Sequence, residues 1–165
     1  MSADDLTHLD ERGAARMVDV GDKEITDRTA TASGRLVVTP KVLELLASNG
    51  IPKGDALGVA RVAGIMAAKK VPDLIPLCHQ IPLSGVKVDL AVAEDAVEIT
   101  ATARTRGKTG VEMEALTAVV VAGLALHDMV KAVDPAAVMT DVRLVDKTGG
   151  KSGHWTRPPH PGSPA

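Results

Sequence analysis

The sequence predicts an α+β domain in which helices cover one face of an antiparallel sheet, and three observations carry that prediction. Period-two alternation marks 86–92 and 96–103 as strands around a Glu94-Asp95 turn. Apolar residues at three- and four-residue spacing mark helices at 54–70 and 110–133. Strand-like runs at 27–39 and 138–145 lie on either side of them.

The first strand alternates through Thr29-Ala30-Thr31-Ala32. Pro40 then suits the first turn of a helix that runs to Ser48 and is closed by Asn49-Gly50, because proline has no N–H to lose there and its φ is already helical. The helix 54–70 carries an Ala, Val and Ile stripe that would bury it against a sheet. Pro72, Pro76 and Pro82 fix φ and bias their preceding residues toward extended geometry, so 74–83 reads as a stiff extended loop rather than a helix. The order β-α-α-β-β-α-β reduces to the ferredoxin-like βαββαβ arrangement with an extra helix.

Three segments follow: a polar N-terminal stretch, 1–24; a single domain, 25–155; and a Pro-rich disordered tail, 156–165. With 165 residues and 45% hydrophobic content the chain can bury one core. Aromatic content is 1%, so no row of rings exists on which exposed bases could stack, and a net charge of -2 argues against a broad nucleic-acid surface. A single cysteine fits a reducing compartment, and the charged N-terminus has no signal-peptide core; the expected location is the cytoplasm.

The long helix is apolar on nearly all sides from Ala115 to Leu126, which calls for cover on all sides, and it is too short for a membrane span. Ala115, Ala118, Ala122 and Ala125 form a small-residue stripe suited to close approach by a second subunit. A homo-oligomer is expected.

Candidate chemistry concentrates at four places. Leu74 to Leu83 displays Cys78 beside His79 between two Ile-Pro-Leu units, although both residue types also occur as packed core groups. Metal binding is set aside, since one Cys and scattered His offer no pair at ligand spacing. Thr109 and Glu112 have capping-box spacing at the start of the long helix, whereas Glu114 has no such structural role. At its far end Asp128 and Lys131 share a face; an exposed ion pair is the simple reading, but a carboxylate in the last turn opposes the helix dipole and so suggests another reason for being there. Lys147 to Gly153 contains Gly150-Lys151-Ser152 yet is no Walker loop, because Val145 stands where the first glycine belongs; it is either a flexible flap over phosphate or a solvated tail.

The motifs LIPLCHQIPL, GKTGVEMEALTA, HDMVKAVD and KTGGKSG, with Met17-Val18-Asp19-Val20 and Ala60-Arg61-Val62-Ala63-Gly64-Ile65 before them, closely resemble the MoaC family of molybdenum cofactor biosynthesis over about residues 6–154. The resemblance implies a ferredoxin-like subunit in a hexamer built as a trimer of dimers, with sites at subunit interfaces. It also implies conversion of 3′,8-cyclo-7,8-dihydroguanosine 5′-triphosphate to cyclic pyranopterin monophosphate with release of pyrophosphate. By motif it assigns Asp128 to catalysis, Leu77, Cys78, His79, Met113 and Glu114 to substrate binding, and Lys131, Lys53 and Glu112 to the same pocket. The chemistry of these residue types adds Lys131 as the acid/base partner of Asp128 and Lys147 or Lys151 beside Lys53 near phosphate, with Lys69 as a further candidate for substrate binding. One departure is His127, where the family commonly carries Tyr. No cofactor is expected, beyond at most a divalent cation accompanying the triphosphate. A regulatory nucleotide-binding domain would share the fold; an RRM-like RNA binder would need the sheet aromatics this chain lacks.

Overall fold

A computed structural model describes residues 12–159. The elements are β1 (Thr26–Val37), α1 (Pro40–Ala47), α2 (Ala56–Ala68), α3 (Val71–Leu74), β2 (Leu83–Val92), β3 (Ala96–Gly107), α4 (Glu112–Val130), β4 (Val138–Thr148) and β5 (Trp155–Thr156). All strands pair antiparallel in the order β2-β3-β1-β4-β5. This is the expected ferredoxin-like sheet with a short strand added at one edge.

Alternation dictates what each face carries. Ala30, Ala32 and Leu36 of β1 and Val97, Ile99, Ala101 and Ala103 of β3 point inward and are fully buried under α2 and α4. The opposite face is polar, with Thr31 and Thr102 hydrogen-bonded across β1 and β3 at 3.0 Å. The core is aliphatic throughout, as the composition requires.

Three expectations change. Pro72 does not keep its neighbourhood extended: it opens the single turn of α3, so the irregular loop begins at Ile75 and not at Leu74. The small-residue stripe of α4 serves the chain's own α2. Ala115, Ala118 and Ala122 are fully buried, and a methyl group on Gly64 would come within 2.8 Å of the Ala118 carbonyl and 3.1 Å of Ala122. With α2 on one side and the sheet on the other, only part of α4 stays uncovered, at Val120 and Leu124. α4 is long and apolar enough to cross a membrane, but here it is the central core helix.

The third change is at the ends. Within 1–24, residues 1–11 lie outside the described region; from Met17 onward the chain lies against the loop before β2, where the Val18 carbonyl meets His79 Nε2 at 2.8 Å. In 156–165, Thr156 belongs to β5 and residues 160–165 lie outside the described region.

Candidate functional site

At the start of α4 the chain turns through Gly110 and Val111, and Glu112 takes the first helical position. The expected capping box does not form, because α4 has no side-chain cap. Glu112 instead folds back over Gly110, leaving no room there for a Cβ, and accepts from Lys147 Nζ at 2.8 Å. Lys147 reaches it because β4 runs to Thr148 and pairs Lys147 with core-facing Ala30, which turns the lysine toward the helices. It is thus a strand residue and not part of a flap.

Glu114, two residues on, is only 3% exposed. Burial pushes its carboxyl above the usual carboxylate range, its own backbone N–H partly opposes this, and the charge of Glu112 adds to it. Cys78 faces the same region, and its thiol is pushed up first by burial and then by Glu114. Such a sulfur is a poor nucleophile. Cys78→Ser is therefore expected to reduce turnover only in part; complete inactivation together with a covalent adduct trapped on the wild-type thiol would contradict that.

Leu77, Cys78 and His79 are presented by the loop between α3 and β2. The Thr105 hydroxyl anchors it by donating to the Pro82 carbonyl at 2.7 Å, and Val18 holds His79. With Met113, Glu112 and Glu114 these residues line a cleft of about 280 Å³. Lys69 lies in an adjoining cleft of about 220 Å³ that shares Glu114 as a wall. Lys151 reaches a third, of about 470 Å³, with Lys23 and Arg28. Lys23 also borders the first cleft, so the basic loop after β4 and the acidic helix start form one continuous region.

Lys53, Asp128 and Lys131 are elsewhere, at the far end of α4. Asp128 accepts from Lys131 Nζ at 2.7 Å and from Lys53 Nζ at 2.8 Å, and Lys53 also donates to the Asp128 carbonyl at 2.7 Å. The hydrogen bond from Lys131, then that from Lys53, lowers the exposed carboxyl to about 2. Lys53 arrives from the turn ahead of α2, where Gly54 has φ 99° and Asp55 caps the helix through Gly58 N at 2.8 Å. Two ammonium groups thus offset the unfavourable placement of Asp128 in the helix dipole. Asp134 of the same motif is structural: it is buried and accepts from Thr39 N at 2.8 Å.

The residues expected to act together therefore form two clusters. Fourteen positions separate Glu114 from Asp128 along α4, roughly 21 Å at 1.5 Å per residue. Lys23, Arg28 and the Val18 carbonyl were not among the residues singled out from sequence; the nearest signal was the Met17 to Val20 motif just ahead of Lys23. Among the described residues, no three His, Cys, Asp or Glu side chains converge on a point where a metal ion could sit.

Comparison with known proteins adds an independent line. The MoaC family model matches residues 17–150. A Streptomyces coelicolor protein named cyclic pyranopterin monophosphate synthase is 70% identical over 154 residues, covering 93% of this chain and 91% of its own. One of the same name from Nocardioides sp. is 66% identical over 156 residues, 93% and 96% of the two chains. A Mycobacterium tuberculosis protein named cyclic pyranopterin monophosphate synthase 2 is 59% identical over 153 residues, 93% and 92%.

Proposed function

The chain belongs to the MoaC family, and from that premise we propose that it is a cyclic pyranopterin monophosphate synthase. It converts 3′,8-cyclo-7,8-dihydroguanosine 5′-triphosphate to cyclic pyranopterin monophosphate and pyrophosphate, in the cytoplasm, as a step of molybdenum cofactor biosynthesis. The observation that carries this reading is the region at the start of α4, where a protonatable carboxyl, an imidazole, Lys23 and Lys151 of the loop after β4 border adjoining clefts. Rearranging a ribose-bridged purine to a pterin needs repeated proton transfers, which carboxyl and imidazole groups serve. Closing a cyclic phosphate needs the departing pyrophosphate neutralised, which lysines serve as point charges.

Glu114 and His79 hold the rings, Lys147 and Lys151 face phosphate, and Asp128 with Lys131 moves protons. Asp128 is ionised at neutral pH but weakly basic while two ammonium groups hold it. If Lys53 is drawn to phosphate, one of them leaves and the carboxylate becomes a stronger base. The protein itself contributes no cofactor to this scheme; a divalent cation enters, if at all, with the triphosphate.

A single chain keeps the two clusters apart, so the scheme requires a homo-oligomer whose subunits share sites; membership of the family makes that oligomer a hexamer built as a trimer of dimers. Val59, Val62 and Met66 on α2, with Val120 and Leu124 on α4, are exposed at helical spacing and offer an apolar face for the second copy. Antiparallel packing of two such faces would bring Glu114 of one copy toward the Asp128 cluster of the other.

Mixing tests this directly. Glu114→Gln and Asp128→Asn subunits, each inactive alone, combine both lesions in one site of a mixed pair and leave the other site intact, so random exchange is expected to restore about a quarter of wild-type activity. No recovery after verified subunit exchange would sink the shared site. The reaction itself is checked by release of pyrophosphate and a pterin product, since a regulatory nucleotide-binding domain would return its ligand unchanged.

A further inference from the structure

Beyond Lys147, strand β4 carries a polar cluster that the scheme above does not use. His154 Nε2 donates to Asp146 Oδ2 at 2.5 Å, and Thr156 Oγ1 donates to the same oxygen at 3.1 Å while lying 3.2 Å from the imidazole nitrogen. Asp146 pairs with Thr31 in the sheet and so faces the polar side, opposite to Lys147. The three side chains bridge the neck of the hairpin between β4 and β5.

The backbone ladder of that hairpin is short. β5 is two residues long, and its ladder consists of Asp146 with Thr156 and Lys147 with Trp155. The intervening loop takes positive φ at Gly149 (97°), Gly150 (71°) and Gly153 (64°); its backbone hydrogen bonds stay within it, from Gly149 N to the Gly153 carbonyl and from Gly153 N to the Gly150 carbonyl, while Gly149 and Gly150 pack on Asp27 and Arg28 with no room for a Cβ. Three glycines raise the entropy lost on ordering such a loop. Beyond the neck, Arg157 ties the chain back to β4 through the Leu144 and Val145 carbonyls.

We propose that His154, with Asp146 and Thr156, is a positioning cluster that keeps the Gly149 to Gly153 loop closed, so that Lys151 stays beside Lys23 and Arg28 and faces the phosphate groups of the substrate. This rests on the reading that the region binds an anionic triphosphate. Lys147 is fixed independently, by the pairing of β4 with β1. Loss of the clip therefore reaches Lys151 and spares the Lys147 to Glu112 pair. Asp146 is held below the usual carboxylate range by the hydrogen bond from His154, which marks that contact as favouring the ionised form.

The test is His154→Ala in the intact oligomer, read in two ways. Trypsin cleavage after Lys151, followed by mass spectrometry, is expected to accelerate about fivefold or more, because the closed loop resists the protease. KM for the triphosphate is expected to rise about tenfold, the size of one lost charged hydrogen bond, with kcat within about twofold. His154→Gln keeps an N–H donor and should recover most of both effects, and His154→Ala should add nothing to Lys151→Ala. Cleavage at the wild-type rate, or a KM penalty adding in full to that of Lys151→Ala, would overturn the proposal. A wild-type protein that releases no pyrophosphate would refute the functional reading instead; the protease comparison needs no substrate and still decides whether His154 closes the loop.

Discussion

Asp128→Asn is expected to leave an intact oligomer that binds the triphosphate and turns over at least about 100-fold more slowly, the usual scale of a lost acid or base. The amide keeps the shape but offers one acceptor oxygen where Asp128 uses two, Oδ1 for Lys131 and Oδ2 for Lys53. One lysine loses its side-chain partner, Lys53 still donates to the backbone carbonyl at 128, and the proton acceptor is gone. Single-turnover rates alongside substrate affinity separate the two effects; near-normal turnover would remove Asp128 from the chemistry. The acid limb of the pH profile offers a second check. With its folded value lowered to about 2 from an unfolded value near 3.9, Asp128 contributes stability that is present above pH 4 and lost as pH falls toward 2. Activity lost between pH 5 and 4 must therefore come from another group, and a carbon NMR titration of Asp128 should show it still ionised there.

Glu114→Gln is expected to do something different: abolish most activity while stabilising the fold. Burial raises the Glu114 pKa above its unfolded value, so between the two values the unfolded chain binds fewer protons than the folded one. Stability then falls as pH rises through that window, and at neutral pH the native state carries the penalty. A neutral amide of the same shape removes it, giving a gain of about 0.5–2 kcal/mol of the kind seen when a strained functional residue is relaxed. The gain should vanish at a pH below the carboxyl's range, where Glu114 is protonated in both states. Equal destabilisation at both pH values would identify Glu114 as a structural acceptor.

How much of this was legible depends on sequence distance. The βαββαβ order, the aliphatic core and the long helix follow from local periodicity, and each appears where the pattern put it. The hairpin of Trp155 and Thr156 could not be read, because two residues carry no alternation and the closing contacts come from Asp146 and His154 side chains. The failed capping box has the same cause. Thr109 and Glu112 have the right spacing, but Lys147, thirty-five positions away, takes the carboxylate. The alanine stripe was correctly read as a close-packing surface and assigned to the wrong partner, since spacing along one helix cannot say which neighbour approaches. Of the candidate site, both clusters were present by motif. Their separation is a matter of helix rise along α4, whereas the recruitment of Lys53 to Asp128 required the fold.

The chain has a single tryptophan and neither tyrosine nor phenylalanine. That indole sits on β5 opposite Lys147, with the Arg157 guanidinium 5.9 Å from its ring centre. The protein's intrinsic emission is therefore a local optical signal: it reports the state of one two-residue hairpin at the edge of the sheet, with the core silent. A shift in emission on adding a ligand reads closure of the loop that carries Lys151. A denaturation curve followed by emission reads departure of β5, and will lead the loss of helical circular dichroism wherever that edge opens before the core.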